Sequence, residues 1–128
     1  MLFFDINEND GKKAEGRLVI TDGTTYKEFP AISGPYGKGH MPKGVYKTTS
    51  CYFMKDDGSV DAYKKEGEPW VAVLEPQFET DRTGLLIHPD GNVEGSLGCC
   101  ALTSGDLEAK SLITELLKNN KELILVVA

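Results

Sequence analysis

Two side chains in this sequence have the types and placement of a nucleophile and its base. They are Cys99, within Ser96-Leu97-Gly98-Cys99, and His88 upstream of it. A thiol attacks only as its thiolate, so it needs a base or a positive environment beside it. Imidazole is the natural base near neutral pH. The turn cluster Pro89-Asp90-Gly91-Asn92 can fold the chain back and bring the two side chains together. Gly98 permits an unusual backbone angle and close approach of a substrate. The N–H groups of Gly98 and Cys99 could then face a developing oxyanion, with Ser96 supporting the pocket. The chemistry would be acyl transfer on a peptide-like substrate. The same spacing fits equally well two ordinary buried thiols, Cys99 and Cys100, and a satisfied strand-end histidine.

Other residues have weaker claims. His40 lies in a Gly-rich stretch and could touch substrate, although a solvated loop histidine explains it as well. Tyr36 and Tyr46 could line a cleft; for Tyr46, packing within a strand is the better account. Cys51 lies mid-strand and reads as structural, and Trp70 as core or cleft wall. Asp90 could orient His88, but an aspartate in a turn has a sufficient local explanation.

These residues must be positioned by a mostly β chain. Residues 17–21 read as a strand entering the Asp22-Gly23 turn, and 24–29 as its return. Residues 31–43, with three glycines and two prolines of its own beyond the opening dipeptides, read as a long functional loop. Strands are expected at 44–54, 70–74 and 84–88, with 75–82 irregular. One helix is expected from Leu107, Ala109, Leu112, Ile113, Leu116 and Leu117. Thr103-Ser104-Gly105-Asp106 fits a capping box before it, and Asn119-Asn120 a stop after it. Residues 123–127 form a final buried strand. The fold class is mostly β (α+β), one domain over 1–128, with a single helix in the C-terminal half and a last strand.

Composition narrows the partners. With 128 residues and 40% hydrophobic content, the chain can build a core without disulfides or a metal. Fourteen Lys plus Arg against 20 Asp plus Glu, a formal charge of −6, argue against nucleic acid as a partner. No run approaches the roughly 18 apolar residues of a membrane span. The N-terminus lacks the basic and apolar regions of a signal peptide, so synthesis in the cytoplasm is expected. Three cysteines, two of them adjacent, make a poor disulfide framework.

Ile87-His88 followed by Ser96-Leu97-Gly98-Cys99 resembles the His…Ser-x-Gly-Cys signature of YkuD-type L,D-transpeptidases. Upstream, Ile32-Ser33-Gly34 and Met41-Pro42-Lys43-Gly44-Val45-Tyr46 are similar to that family's Ser/Thr-Gly…Thr-Pro-x-Gly-x-Tyr block. The forms are most similar to compact effectors of type VI secretion, or to small phage lytic proteins. The resemblance implies a β-sandwich or barrel, no cofactor, and peptidoglycan stem peptides as substrate, acylated through a thioester. It makes Cys99 the nucleophile and His88 the base, with Gly98 and Cys99 supplying the oxyanion N–H groups and Ser96 supporting them. Action would be in the periplasm or cell wall after delivery, with a secretion-apparatus or immunity partner.

The sequence departs from the family at three points. Cys100 and Ala101 stand where an apolar residue and an arginine usually follow the nucleophile; Arg82 could supply that charge from another strand. Pro89 follows His88 in place of glycine, and the His-to-Cys interval is short. Two rivals stay open: a degenerate domain that binds cell-wall peptide without turnover, and a zinc site using His88, Cys99, Cys100 and His40. No metal is expected.

Overall fold

Local sequence turns explain the first three strands. β1 (Leu2–Asn9), β2 (Ala14–Thr21) and β3 (Tyr26–Ser33) form an antiparallel meander in the computed structural model, which describes residues 1–91, 93–120 and 122–128. The first turn is tied by Asp10, whose Oδ1 accepts the N–H groups of Lys12 and Lys13. Asp22 does the same for Thr24 and Thr25 in the second. Such Asx geometry is what short polar side chains offer a reversing chain.

The chain then runs through β4 (Gly44–Phe53), β5 (Trp70–Pro76), β6 (Leu86–Pro89) and β7 (Cys100–Leu102). The helix α1 (Asp106–Asn119) and β8 (Leu123–Val127) complete it. The strands close into one barrel in the order β1-β2-β3-β7-β6-β5-β4-β8. Closure removes every open sheet edge. It depends on two parallel pairings between distant segments, β1 with β8 and β6 with β7.

The expected class is therefore right, and the sheet is a closed barrel. Several boundaries differ from the sequence-based expectation. β1 was not expected, nor was β7, whose three residues are all fully buried and so show no alternation. The first three residues of the expected 31–43 loop belong to β3. Of the expected turn at 89–92, Pro89 ends β6 and Asn92 lies outside the described residues. The capping box does not form. Gly105 occupies the N-cap with φ 69° and has no side chain to cap the helix; its N–H donates to Glu66 Oε2 at 3.1 Å. A Cβ at 105 would lie 2.6 Å from the Phe29 ring, so packing selects the glycine.

The barrel is filled by Leu2, Phe4, Leu18, Tyr46, Trp70, Ile87 and Leu125 among others. α1 lies across β4 and β2, burying Ala109 and Ile113. Asn120 Nδ2 donates to the Leu116 carbonyl at 2.8 Å, which satisfies one of the helix's last acceptors.

Candidate active site

The parallel pairing of β6 with β7 sets the site. Ile87 pairs with Cys100 and His88 with Ala101. Because strand side chains alternate faces, Ile87 and Cys100 enter the core while His88 and Cys99 face the other way. Cys100 is fully buried and its thiol is pushed far up by burial. The adjacent cysteines thus have separate fates, decided by the period of the strand.

His88 and Cys99 line one cavity of about 330 Å³, together with Ser96, Tyr36, Tyr63, Gly84 and Leu97. His88 Nδ1 lies 2.7 Å from the Pro89 carbonyl. A carbonyl only accepts, so the proton sits on Nδ1 and Nε2 keeps its lone pair. The ring meets Tyr63 edge-on at 4.8 Å. Burial lowers the imidazole from 6.5 to about 4, against the pull of the Pro89 carbonyl. It is therefore neutral at physiological pH.

Cys99 is nearly buried, and burial raises its thiol above the usual range. The Leu86 N–H and the Arg82 charge oppose that rise. The thiol's acceptor is the Gly84 carbonyl, at 3.7 Å. Among the described residues no hydrogen bond joins the thiol to the His88 ring, and the Cys99 N–H has no partner. At rest both groups hold their neutral forms.

Ser96 is a hydrogen-bonding hub beside Cys99. Its Oγ accepts from Gly34 N–H and Gly98 N–H, each at 3.3 Å, and donates to the Cys99 carbonyl at 2.9 Å. Main-chain bonds Ser96 N–H to Gly34 carbonyl, 2.8 Å, and Tyr36 N–H to Ser96 carbonyl, 3.2 Å, join the same two loops. Gly98, with φ 115°, directs its N–H at Ser96 Oγ, so of the two expected oxyanion donors the Cys99 N–H is the free one.

Of the expected substrate contacts, only Tyr36 reaches the cavity. Tyr46 is fully buried, its hydroxyl donating to the Pro42 carbonyl at 2.6 Å and its ring set edge-on to Phe78. His40 is committed on both nitrogens: Nδ1 donates to the Met41 carbonyl, and Nε2 accepts from Asn9 Nδ2. Arg82 turns its guanidinium onto main-chain carbonyls. These three do not line the cavity. Asp90 does not orient His88 either; its Oδ1 accepts the Gly95 N–H at 3.1 Å. Asp90 instead lines a larger groove of about 620 Å³ with Glu8, Glu15 and Glu94, which holds neither thiol nor imidazole.

The zinc alternative loses its ligand set, since Cys100 faces away from Cys99 and His40 is already bonded. Tyr63, on a 3-10 turn at Asp61–Tyr63, is the site residue that sequence reasoning missed. Its one local signal is an aromatic residue within an otherwise polar, Gly-containing insertion.

A family model described as the L,D-transpeptidase catalytic domain, YkuD, matches residues 5–111. The chain belongs to that family. The matched region of this L,D-transpeptidase domain runs from within β1 into α1 and includes His88, Ser96, Gly98 and Cys99. It is a family of cell-wall enzymes of the transpeptidase type. No curated protein and no solved structure matches the chain. No described helix is long and apolar enough to cross a membrane.

Proposed function

We propose that this protein acylates Cys99 with peptidoglycan stem peptides, breaking a peptide bond at the carbonyl of an L-centre. The supporting observation is the shared cavity: His88, on β6, and Cys99, just before β7, both line it, and the Cys99 N–H has no partner among the described residues. As Sγ bonds to the carbonyl carbon, its proton passes to His88 Nε2. The carbonyl oxygen becomes an oxyanion that accepts from the Cys99 N–H. The Nδ1–H bond to Pro89 keeps the ring in the tautomer that this transfer requires. Collapse expels the leaving amine, which takes the proton back from His88 and leaves a thioester. Water or a second amine then attacks the thioester, giving up a proton to His88; the C–S bond breaks, and the Cys99 sulfur takes that proton back as the product leaves.

Both groups are neutral at rest, so the proton leaves sulfur only as the S–C bond forms. That combination favours a thiol held inert until substrate closes the cavity. Mass spectrometry of tetrapeptide and cross-linked muropeptides tests the reading. Wild-type protein should release or exchange the residue beyond the L-centre. Cys99→Ala should do neither while keeping the fold. Turnover by Cys99→Ala would overturn it.

One observation favours a second reading, binding without turnover: no hydrogen bond links thiol and imidazole. A carbapenem separates the two, because it adds its mass at Cys99 only if the thiol can be acylated. The motif forms further support a setting as a delivered antibacterial effector or a phage lytic protein. Cys99-dependent lysis on directing the chain to the periplasm tests that setting.

A further inference from the structure

We propose that Arg82 is a positioning residue that clamps the two loops framing the nucleophile, and not a binder of substrate carboxylate. The proposal rests on the acylation reading above for its kinetic consequences. Its structural basis is the set of acceptors that the guanidinium has already taken. Nη1 donates to the His40 carbonyl at 3.1 Å, and Nη2 to the Gly39 carbonyl at 3.2 Å and the Leu97 carbonyl at 3.5 Å. The first two carbonyls belong to the loop between β3 and β4, and the third to the loop that carries Ser96 and Cys99. The fork therefore spans two segments far apart in sequence. Arginine suits this because its donors lie in one rigid plane; a lysine offers a single point charge.

Gly98 supplies an independent sign of the clamp. A Cβ at 98 would lie 1.8 Å from Arg82 Nη2, and the residue holds φ 115°. The guanidinium thus fills the space that a side chain at 98 would need. Glycine at 98, which φ 115° already favours, leaves the room that the guanidinium occupies.

The clamp acts on catalysis through one peptide plane. In a trans peptide the C=O and N–H point in opposite directions. Holding the Leu97 carbonyl on Arg82 therefore turns the Gly98 N–H away from the guanidinium, and it donates to Ser96 Oγ. Ser96 Oγ in turn donates to the Cys99 carbonyl. Together these contacts fix the backbone on both sides of Cys99, and with it the direction of the free Cys99 N–H. The neighbouring Lys38–Asp81 ion pair ties the β3–β4 loop to the segment that carries Arg82.

The test compares Arg82→Lys and Arg82→Gln with wild type in two measurements. In steady-state kinetics on muropeptides, both variants should lose kcat by ten- to a hundred-fold, as misplaced catalytic groups do. KM should stay within about threefold, since no substrate contact is lost. In amide hydrogen exchange, residues 34–43 and 96–99 should exchange at least about tenfold faster in both variants, with the strands unchanged. Recovery of kcat in Arg82→Lys would show that the charge, on the Cys99 thiol or on substrate, matters in place of the fork; a loss carried by KM would show a substrate contact; either would overturn the proposal. Unchanged exchange in the two loops would overturn it as well. If wild type fails to turn over muropeptide, the acylation reading falls, and the exchange measurement still decides whether the clamp exists.

Discussion

Lowering the pH from 7.5 to 4.5 is expected to cost about 2.5 kcal/mol of folding stability through His88 alone. Burial holds the folded imidazole at about 4, whereas the unfolded chain returns it to about 6.5. Between those values the unfolded state binds a proton that the folded state refuses, so stability falls as the pH falls. The stabilisation is whole above the unfolded value and fully lost below the folded one. Linkage between the two states gives almost no effect at pH 7.5 and about 2.5 kcal/mol at pH 4.5. The perturbation is His88→Asn, which does not titrate and whose amide can still donate to the Pro89 carbonyl. Urea melts of both proteins at both pH values supply the assay. Acidic groups that also titrate, such as Asp10, Asp22 and Asp57, are common to the two proteins and cancel in the comparison. The variant loses the edge-on contact with Tyr63, a cost that does not depend on pH. Wild type should therefore lose about 2.5 kcal/mol more than the variant on acidification. A difference under about 1 kcal/mol would mean that the His88 ring protonates freely, and the reasoning from burial would be wrong.

Two further substitutions test the rest of the framework. Asp106 is fully buried beside the Glu66 carboxylate, and burial, then its side-chain contact with Glu66, raise its carboxyl. A raised acid destabilises the fold as pH rises through its folded value, so Asp106→Asn should stabilise the fold more at pH 7 than near pH 3, read by thermal melts; an equal effect at both pH values would refute it. Ser96→Ala strands two N–H groups and a carbonyl in a buried loop and should cost about 1–3 kcal/mol in urea; a loss under about 0.5 kcal/mol would remove Ser96 from its place as hub.

Much of the site could be read along the chain because its chemistry is local. Cys99 and His88 stand out by type, and the alternation of a strand separates Cys99 from Cys100 once β7 is known. α1 announces itself by helical periodicity, β8 by its unbroken apolar run, and the β2–β3 hairpin by strand-forming residues on either side of its turn. The Asp22-Gly23 turn is equally local.

Tertiary structure decided the rest, for reasons that local pattern does not encode. β7 has three residues buried on both faces, so no alternation marks it. The parallel pairings that close the barrel join β1 to β8 and β6 to β7, and they depend on the shape of the whole sheet. The helix start is set by Glu66 and the Phe29 ring, neither of them near it in sequence. Arg82, Tyr46 and His40 are polar or aromatic residues near the motif, and by type each could have touched substrate. Their orientation depends on which carbonyls and rings the folded chain sets beside them: two loops for Arg82, the Pro42 carbonyl for Tyr46, and Met41 with Asn9 for His40. Sequence alone singled out Cys99 and His88 as the candidate reacting groups, and the fold sets both on one cavity. Only the fold decided which of their neighbours face the substrate and which hold the site in place, because that choice follows from long-range pairing.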